Sequence, residues 1–175
     1  MKNIFIILFL IFFTNLTFAS DKKSGRFFED QPDITDEPQI HFIYLLNKDS
    51  KDNEWDISGE MEKDLLEANQ KMFEMTGKKQ KFRYDMREDG KIDISFVRFN
   101  QQFKGNYGMN YPDVYLTKIG FNDPNKLYFA WVDVGHRDGG QASVHHGYIF
   151  LKSKYNSGSK KRILITLHEL MHVNG

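Results

Sequence analysis

Two of the six histidines stand four residues apart with a glutamate directly after the first, in His168-Glu169-Leu170-Met171-His172. On a helix, residues at this spacing lie one turn above each other, so both imidazoles reach the same side at a separation that suits a metal ion. Glu169 is displaced along the helix and is no equivalent ligand. It can instead reach a water held on the metal. Zinc lowers the pKa of such a water to about 7, and a carboxylate can take its proton during attack on a peptide carbonyl. The chain has no Cys. Any metal must therefore be held by His and carboxylates, and no thiol is available as nucleophile or cross-link.

These residues need a rigid mount. The turn Asn156-Ser157-Gly158-Ser159 predicts a helix from about Lys160 to Val173, whose apolar side (Ile163, Leu164, Leu167, Leu170, Met171) pins it against a sheet. Ile40 to Leu46 is a nearly continuous apolar run, the pattern of a strand covered on both faces. Ser58 as N-cap and Gly77 as stop bracket a long helix with Met61, Leu65, Leu66, Ala68, Met72 and Phe73 at helical spacing. Ile92, Ile94 and Phe96 alternate with polar residues after the Asp89-Gly90 turn, and Phe82, Tyr84 and Met86 can pair across it. Residues 100–124, rich in Gly and Pro, read as a long surface loop packed by its own aromatics, Tyr107, Tyr111, Tyr115 and Phe121. Leu127 to Val134 predicts a buried strand, and Gly139-Gly140-Gln141-Ala142 leads into a last strand, Gly147 to Leu151. The expected fold is α+β, a mixed twisted sheet of about four to five strands with a long first helix and a C-terminal metal-binding helix.

The chain of 175 residues balances 24 Lys and Arg against 24 Asp and Glu. That neutrality excludes the basic stripe of a nucleic-acid binder. Lys2, the apolar run Ile4 to Phe13 and the small residues of Thr17-Phe18-Ala19 form an export signal over residues 1–19. The run is too short to span a bilayer, so no stable membrane anchor is expected after its removal. A secreted product, periplasmic or extracellular, follows. Residues 20–39 are polar and acidic, with Pro32 and Pro38, and read as a flexible leader. Residues 40–175 form the expected single domain.

The C-terminal stretch resembles the start of the metzincin zinc signature, H-E-x-x-H-x-x-G-x-x-H/D, at His168, Glu169, His172 and Gly175. The resemblance implies a matrixin-like catalytic domain with His168 and His172 as Zn2+ ligands and Glu169 as general base. It places a third ligand three residues beyond Gly175, so the catalytic domain is expected to be incomplete at its C-terminus and the chain as given inactive. Gly140, Gln141 and Ala142 are similar to the family's edge strand, where substrate backbone adds as a further strand. His136, His145 and His146, near Asp133 and Asp138, could hold a structural Ca2+ or Zn2+ as in some matrixins, or be polar loop residues. His41, in a strand, reads as a core or cross-strand residue. The implied function is a secreted zinc endopeptidase acting on a protein or peptide substrate. The alternative is an exported binding or interaction module, or an inactive truncated peptidase.

Overall fold

Strand β1, Gln39–Leu46, lies inside the sheet and is buried along its whole length, as its unbroken apolar run requires. The computed structural model describes residues 21–100, 102, 110–143 and 145–174; the expected export signal lies outside them. After β1 come helix α1 (Glu60–Met75), β2 (Ile94–Arg98), helix α2 (Asn110–Lys118), β3 (Lys126–Val132), β4 (Gly140–Ala142), β5 (His146–Phe150) and helix α3 (Ser159–Asn174). The five strands form one sheet in the order β2-β1-β3-β5-β4. The pairings β1 with β2, β1 with β3 and β3 with β5 are parallel, and β4 runs antiparallel on the edge of β5. The fold is α+β with a mixed sheet, as expected.

Alternation along the strands sorts side chains onto two faces. On one face Ile40, Phe42, Tyr44, Phe129, Trp131 and Ile149 meet Met61, Leu65 and Ala68 of α1 and Ile163, Leu167 and Leu170 of α3. On the other, Ile43, Leu45, Val97, Ala130 and Val132 meet Leu116 and Phe121. Each fully buried large apolar side chain here contributes about 1.5–3 kcal/mol. Among the described residues, no helix is long and apolar enough to cross a membrane.

Several expectations are corrected. The N-cap of α1 is Gly59 in the left-handed region, φ 83°, and not Ser58; Leu66 on that helix is exposed. Within the expected loop of residues 100–124 lies α2. Pro112 falls in its first turn, and Gly120, φ 107°, closes it while Phe121 N–H donates to the Leu116 carbonyl. Pro near the start and Gly past the end are helix punctuation, and the same residues had read as loop formers. Tyr115 and Phe121 serve packing, with Tyr115 against Phe99 and Phe121 against Tyr128; Tyr107 lies outside the described residues. The paired strand expected at Phe82, Tyr84 and Met86 reduces to isolated bridges, Ile40 to Tyr84 and Met86 to Ile92.

Residues 21–38, expected as a flexible leader outside the core, pack on the domain. The buried Arg26 side chain forks onto Asp56 (Nε and Nη2, both 2.7 Å) and Asp52 (Nη1, 2.7 Å) and stacks 3.9 Å over Phe96. Phe27 forms a parallel bridge with Ser95, and its carbonyl accepts from Phe96 N–H at 2.8 Å. The segment thereby pairs with the outer edge of β2 at Ser95 and Phe96. Its few apolar residues gave no sign of this, because charge pairing and main-chain bonding hold it down.

Candidate active site

Helix α3 is set by its first turn. Asp64 of α1, fully buried, accepts from Ser159 Oγ and from Arg162 Nε at 3.0 Å. The Arg162 guanidinium lies 4.5 Å over the Trp55 ring. Farther along, Ile163, Thr166, Leu167, Leu170 and Val173 are buried, while Leu164 and Met171 are exposed. The expected apolar side is thus rotated. Leu164, His168, Met171 and His172 occupy positions i, i+4, i+7 and i+8 of one stripe. If the histidines face outward, the two apolar residues must do so too.

His168 and His172 point together from this exposed stripe, with their Nε2 atoms 3.1 Å apart and their rings nearly perpendicular. Two imidazoles on one tetrahedral zinc, with bonds of 2.0–2.1 Å, place their nitrogens about 3.3 Å apart. The pair therefore fits two positions of a zinc shell. No third ligand joins them among the described residues, and Gly175 lies outside those residues.

Glu169 takes the opposite course. It is buried, wedged between α3 and β4, and a Cβ added at Gly140 would stand 2.7 Å from its Oε1. Burial, reinforced by the Asp138 carboxylate, pushes its pKa up to about 7. A carboxyl so placed can exchange a proton near neutrality.

Gly140, Gln141 and Ala142 form β4, an edge strand beside Glu169. The Gly139 carbonyl accepts from Phe150 N–H, and Ser143 N–H donates to the His146 carbonyl. Main-chain groups alternate in direction along a strand. Gly140 and Ala142 therefore turn their N–H and C=O away from β5, toward the outer side of the edge strand.

The other histidines do not assemble. His136 stacks on Phe150 with centroids 4.3 Å apart, and its Nδ1 accepts from Asp138 N–H. His146 stacks on Tyr128, its Nδ1 3.7 Å from Asp113, while His145 is exposed. Asp133 accepts from Lys152. Among the described residues no three of these form a metal-holding group, which favours the reading of His136, His145 and His146 as polar loop residues over that of a cation site.

A group that could hold a metal lies elsewhere, on the other face of the sheet from α3. It comprises Asp30, His41, Asp85 and Asp93. His41 is fully buried, its Nδ1 2.9 Å from Asp85 and its Nε2 3.0 Å from Ser95 Oγ. Burial pushes the Asp30 and Asp93 carboxyls up. Burial also opposes ionisation of Asp85, but hydrogen bonds from His41 and Lys126 outweigh it and hold that carboxyl down. Sequence reasoning saw His41 as a core or cross-strand residue. The available signal was the placement of Asp85 and Asp93 on either side of the Asp89-Gly90 turn; Asp30 had none, since it arrives from the supposed leader. A cavity of about 440 Å³ between residues 24–27, the start of α1 and the Arg87–Lys91 turn contains none of the expected site residues.

No protein-family model matches the chain, and no curated protein matches it. Among solved structures it is similar to OgpA from Akkermansia muciniphila. The wild-type structure aligns with a TM-score of 0.48 and 14% identity over 83% of this chain and 50% of that one. The catalytically inactive form, in complex with an O-glycopeptide substrate, aligns at 0.46 and 13% over the same shares. This chain thus spans about half the length of OgpA.

Proposed function

We propose that this chain carries the zinc helix and substrate edge of an exported zinc-dependent endopeptidase. The observation that carries the reading is the convergence of His168 and His172, Nε2 to Nε2 at 3.1 Å, on an exposed stripe whose next residue, Glu169, is buried against an edge strand. His168 and His172 would hold the metal. Zinc, when bound, supplies an acidified water and an electrophile for the peptide carbonyl.

The chain's own residues do the rest. Glu169 accepts a proton on its carboxylate and can pass it to the leaving amine, a task matched to a carboxyl poised near neutrality. Gly140 and Ala142 offer outward main-chain donors and acceptors to an extended peptide, which would add to the sheet beside β4. The bare backbone of Gly140 brings that peptide close to Glu169.

Zinc titration and hydrolysis of an unstructured protein such as casein test this reading, in the full-length protein. Substituting His168 or His172 by Ala should each lower zinc affinity by at least tenfold. Glu169→Gln should retain zinc and lose turnover. Full hydrolysis by Glu169→Gln would sink the reading. Peptide binding along β4 with no cleavage by the wild type would instead indicate the binding module.

A further inference from the structure

We propose that Asp30, His41, Asp85 and Asp93 form a second, structural site for a divalent transition-metal ion, zinc being the best fit, which clasps the N-terminal segment to the sheet. Three stretches of chain meet there. Asp30 comes from the segment packed along β2, His41 from β1, and Asp85 and Asp93 from the two sides of the Arg87–Lys91 turn.

The geometry suits such an ion. His41 Nδ1 faces three carboxylates, at 2.9 Å from Asp85 Oδ2, 3.4 Å from Asp30 Oδ1 and 3.7 Å from Asp93 Oδ2. One ligand atom from each of the four residues lies within 4.8 Å of all the others. Ligand atoms around a tetrahedral zinc stand about 3.3 Å apart, so the four side chains would draw together around the ion. The far ring nitrogen of His41 is held by Ser95 Oγ at 3.0 Å. That is the outer contact by which a ligating imidazole is oriented. One imidazole with three carboxylates matches zinc better than calcium, which takes six to eight oxygens.

Buried polar atoms there lack partners. Asp93 is 1% exposed and its Oδ1 makes no hydrogen bond. Gln39 is 3% exposed, lies across from Lys126 in the β1–β3 register, and has neither amide atom bonded. Such groups in a folded protein usually mark a missing water or ion. Charge points the same way. Three carboxylates close on one ammonium, that of Lys126, at 2.6 Å from Asp30 and Asp33 and 2.8 Å from Asp85, and Asp93 adds a fourth beside His41. Carboxyl groups thus outnumber the one lysine, and a buried carboxylate without a cation is expensive. A divalent ion would share the oxygens of Asp30 and Asp85 and leave Lys126 to Asp33.

The test uses the full chain carrying His168→Ala and His172→Ala, so that zinc at the helix cannot contribute. This protein should retain one zinc per chain after desalting at neutral pH, and Co2+ in its place should give the intense visible bands of tetrahedral coordination. Zinc should slow proteolytic cleavage within residues 21–38. Adding Asp93→Asn, which keeps shape and is checked for folding by circular dichroism, should weaken zinc at least tenfold. Lys126→Met should tighten it by removing the competing cation. No retained zinc, or equal affinity with and without Asp93→Asn, would overturn the proposal, and retention of calcium in preference to zinc would overturn the choice of metal.

Discussion

The Glu169 side chain lies directly against the Gly140 backbone, so close that a Cβ on the glycine would stand 2.6 Å from its Cγ and 2.7 Å from its Oε1. On the other side the same Cβ would meet the Tyr148 carbonyl oxygen at 2.8 Å. Gly140 has no positive φ to demand glycine. Space demands it. The missing side chain sets how near α3 can bring its carboxylate to the sheet edge.

Gly140→Ala should therefore cost about 1–3 kcal/mol, as overpacking does, because the Tyr148 carbonyl cannot rotate aside. Turnover should fall with it, while zinc affinity at the outward-facing histidines stays near wild type. Gly139→Ala should cost less, since its nearest obstacle at 2.7 Å is the Cδ1 tip of Ile165. Urea midpoints of the two variants check the order.

Ala142→Pro separates stability from peptide binding. The Ala142 N–H points away from β5, so proline there breaks no ladder bond and an edge strand tolerates it. The urea midpoint should move little, and KM for a peptide should rise severalfold. Gln141→Pro, whose N–H faces β5, should destabilise the edge itself.

Asp64→Ala should be among the most damaging single changes outside the two cores. It strands the buried Arg162 guanidinium, which bonds Asp64 at 2.9–3.0 Å. Removing one partner of a buried pair costs about 3–5 kcal/mol. Asp64→Asn keeps one acceptor for Ser159 or Arg162 and should lose less. Chemical denaturation of both variants gives the comparison.

Acid should loosen the N-terminal segment in a defined window. Burial opposes ionisation of Asp52, but the Arg26 guanidinium, the Glu54 N–H and Lys23 outweigh it and bring its pKa down from 3.8 to about 2. A carboxyl lowered on folding contributes stability above its unfolded pKa and loses it as pH falls through the folded one. The Asp52 contribution is thus complete above about pH 4 and gone below about pH 2. Proteolysis by pepsin within residues 21–30 should accelerate across that window. Arg26→Ala should make the segment susceptible already above it.

Much of this was legible in the sequence. The unbroken apolar run at Ile40 to Leu46 can only be a strand covered on both faces, and β1 is one. The spacing of His168 and His172 fixed their common side once α3 was helical. It also determined that Leu164 and Met171 share that side, a consequence hidden when apolar residues are assigned inward by type. Helix α2 was missed because Pro112 and Gly120 suit both a loop and the two ends of a helix, and the choice depends on Leu116 finding a core to enter. The His41 group was out of reach for a different reason. Its members lie up to 63 positions apart in sequence (Asp30 to Asp93), and only the parallel crossover and the anchored segment bring them together.

The two rims of the sheet differ in one respect with consequences for how copies of this chain can meet. Phe27 caps the β2 rim, while β4 leaves the opposite rim bare among the described residues. A molecule with a single sticky rim cannot propagate a ribbon. Two such rims can pair only with each other, about a two-fold axis, and growth then stops. Through this rim, concentrated protein should therefore form self-limiting pairs. In each pair the neighbour's β4 would occupy the groove that a peptide needs, so crowding would act as a reversible brake.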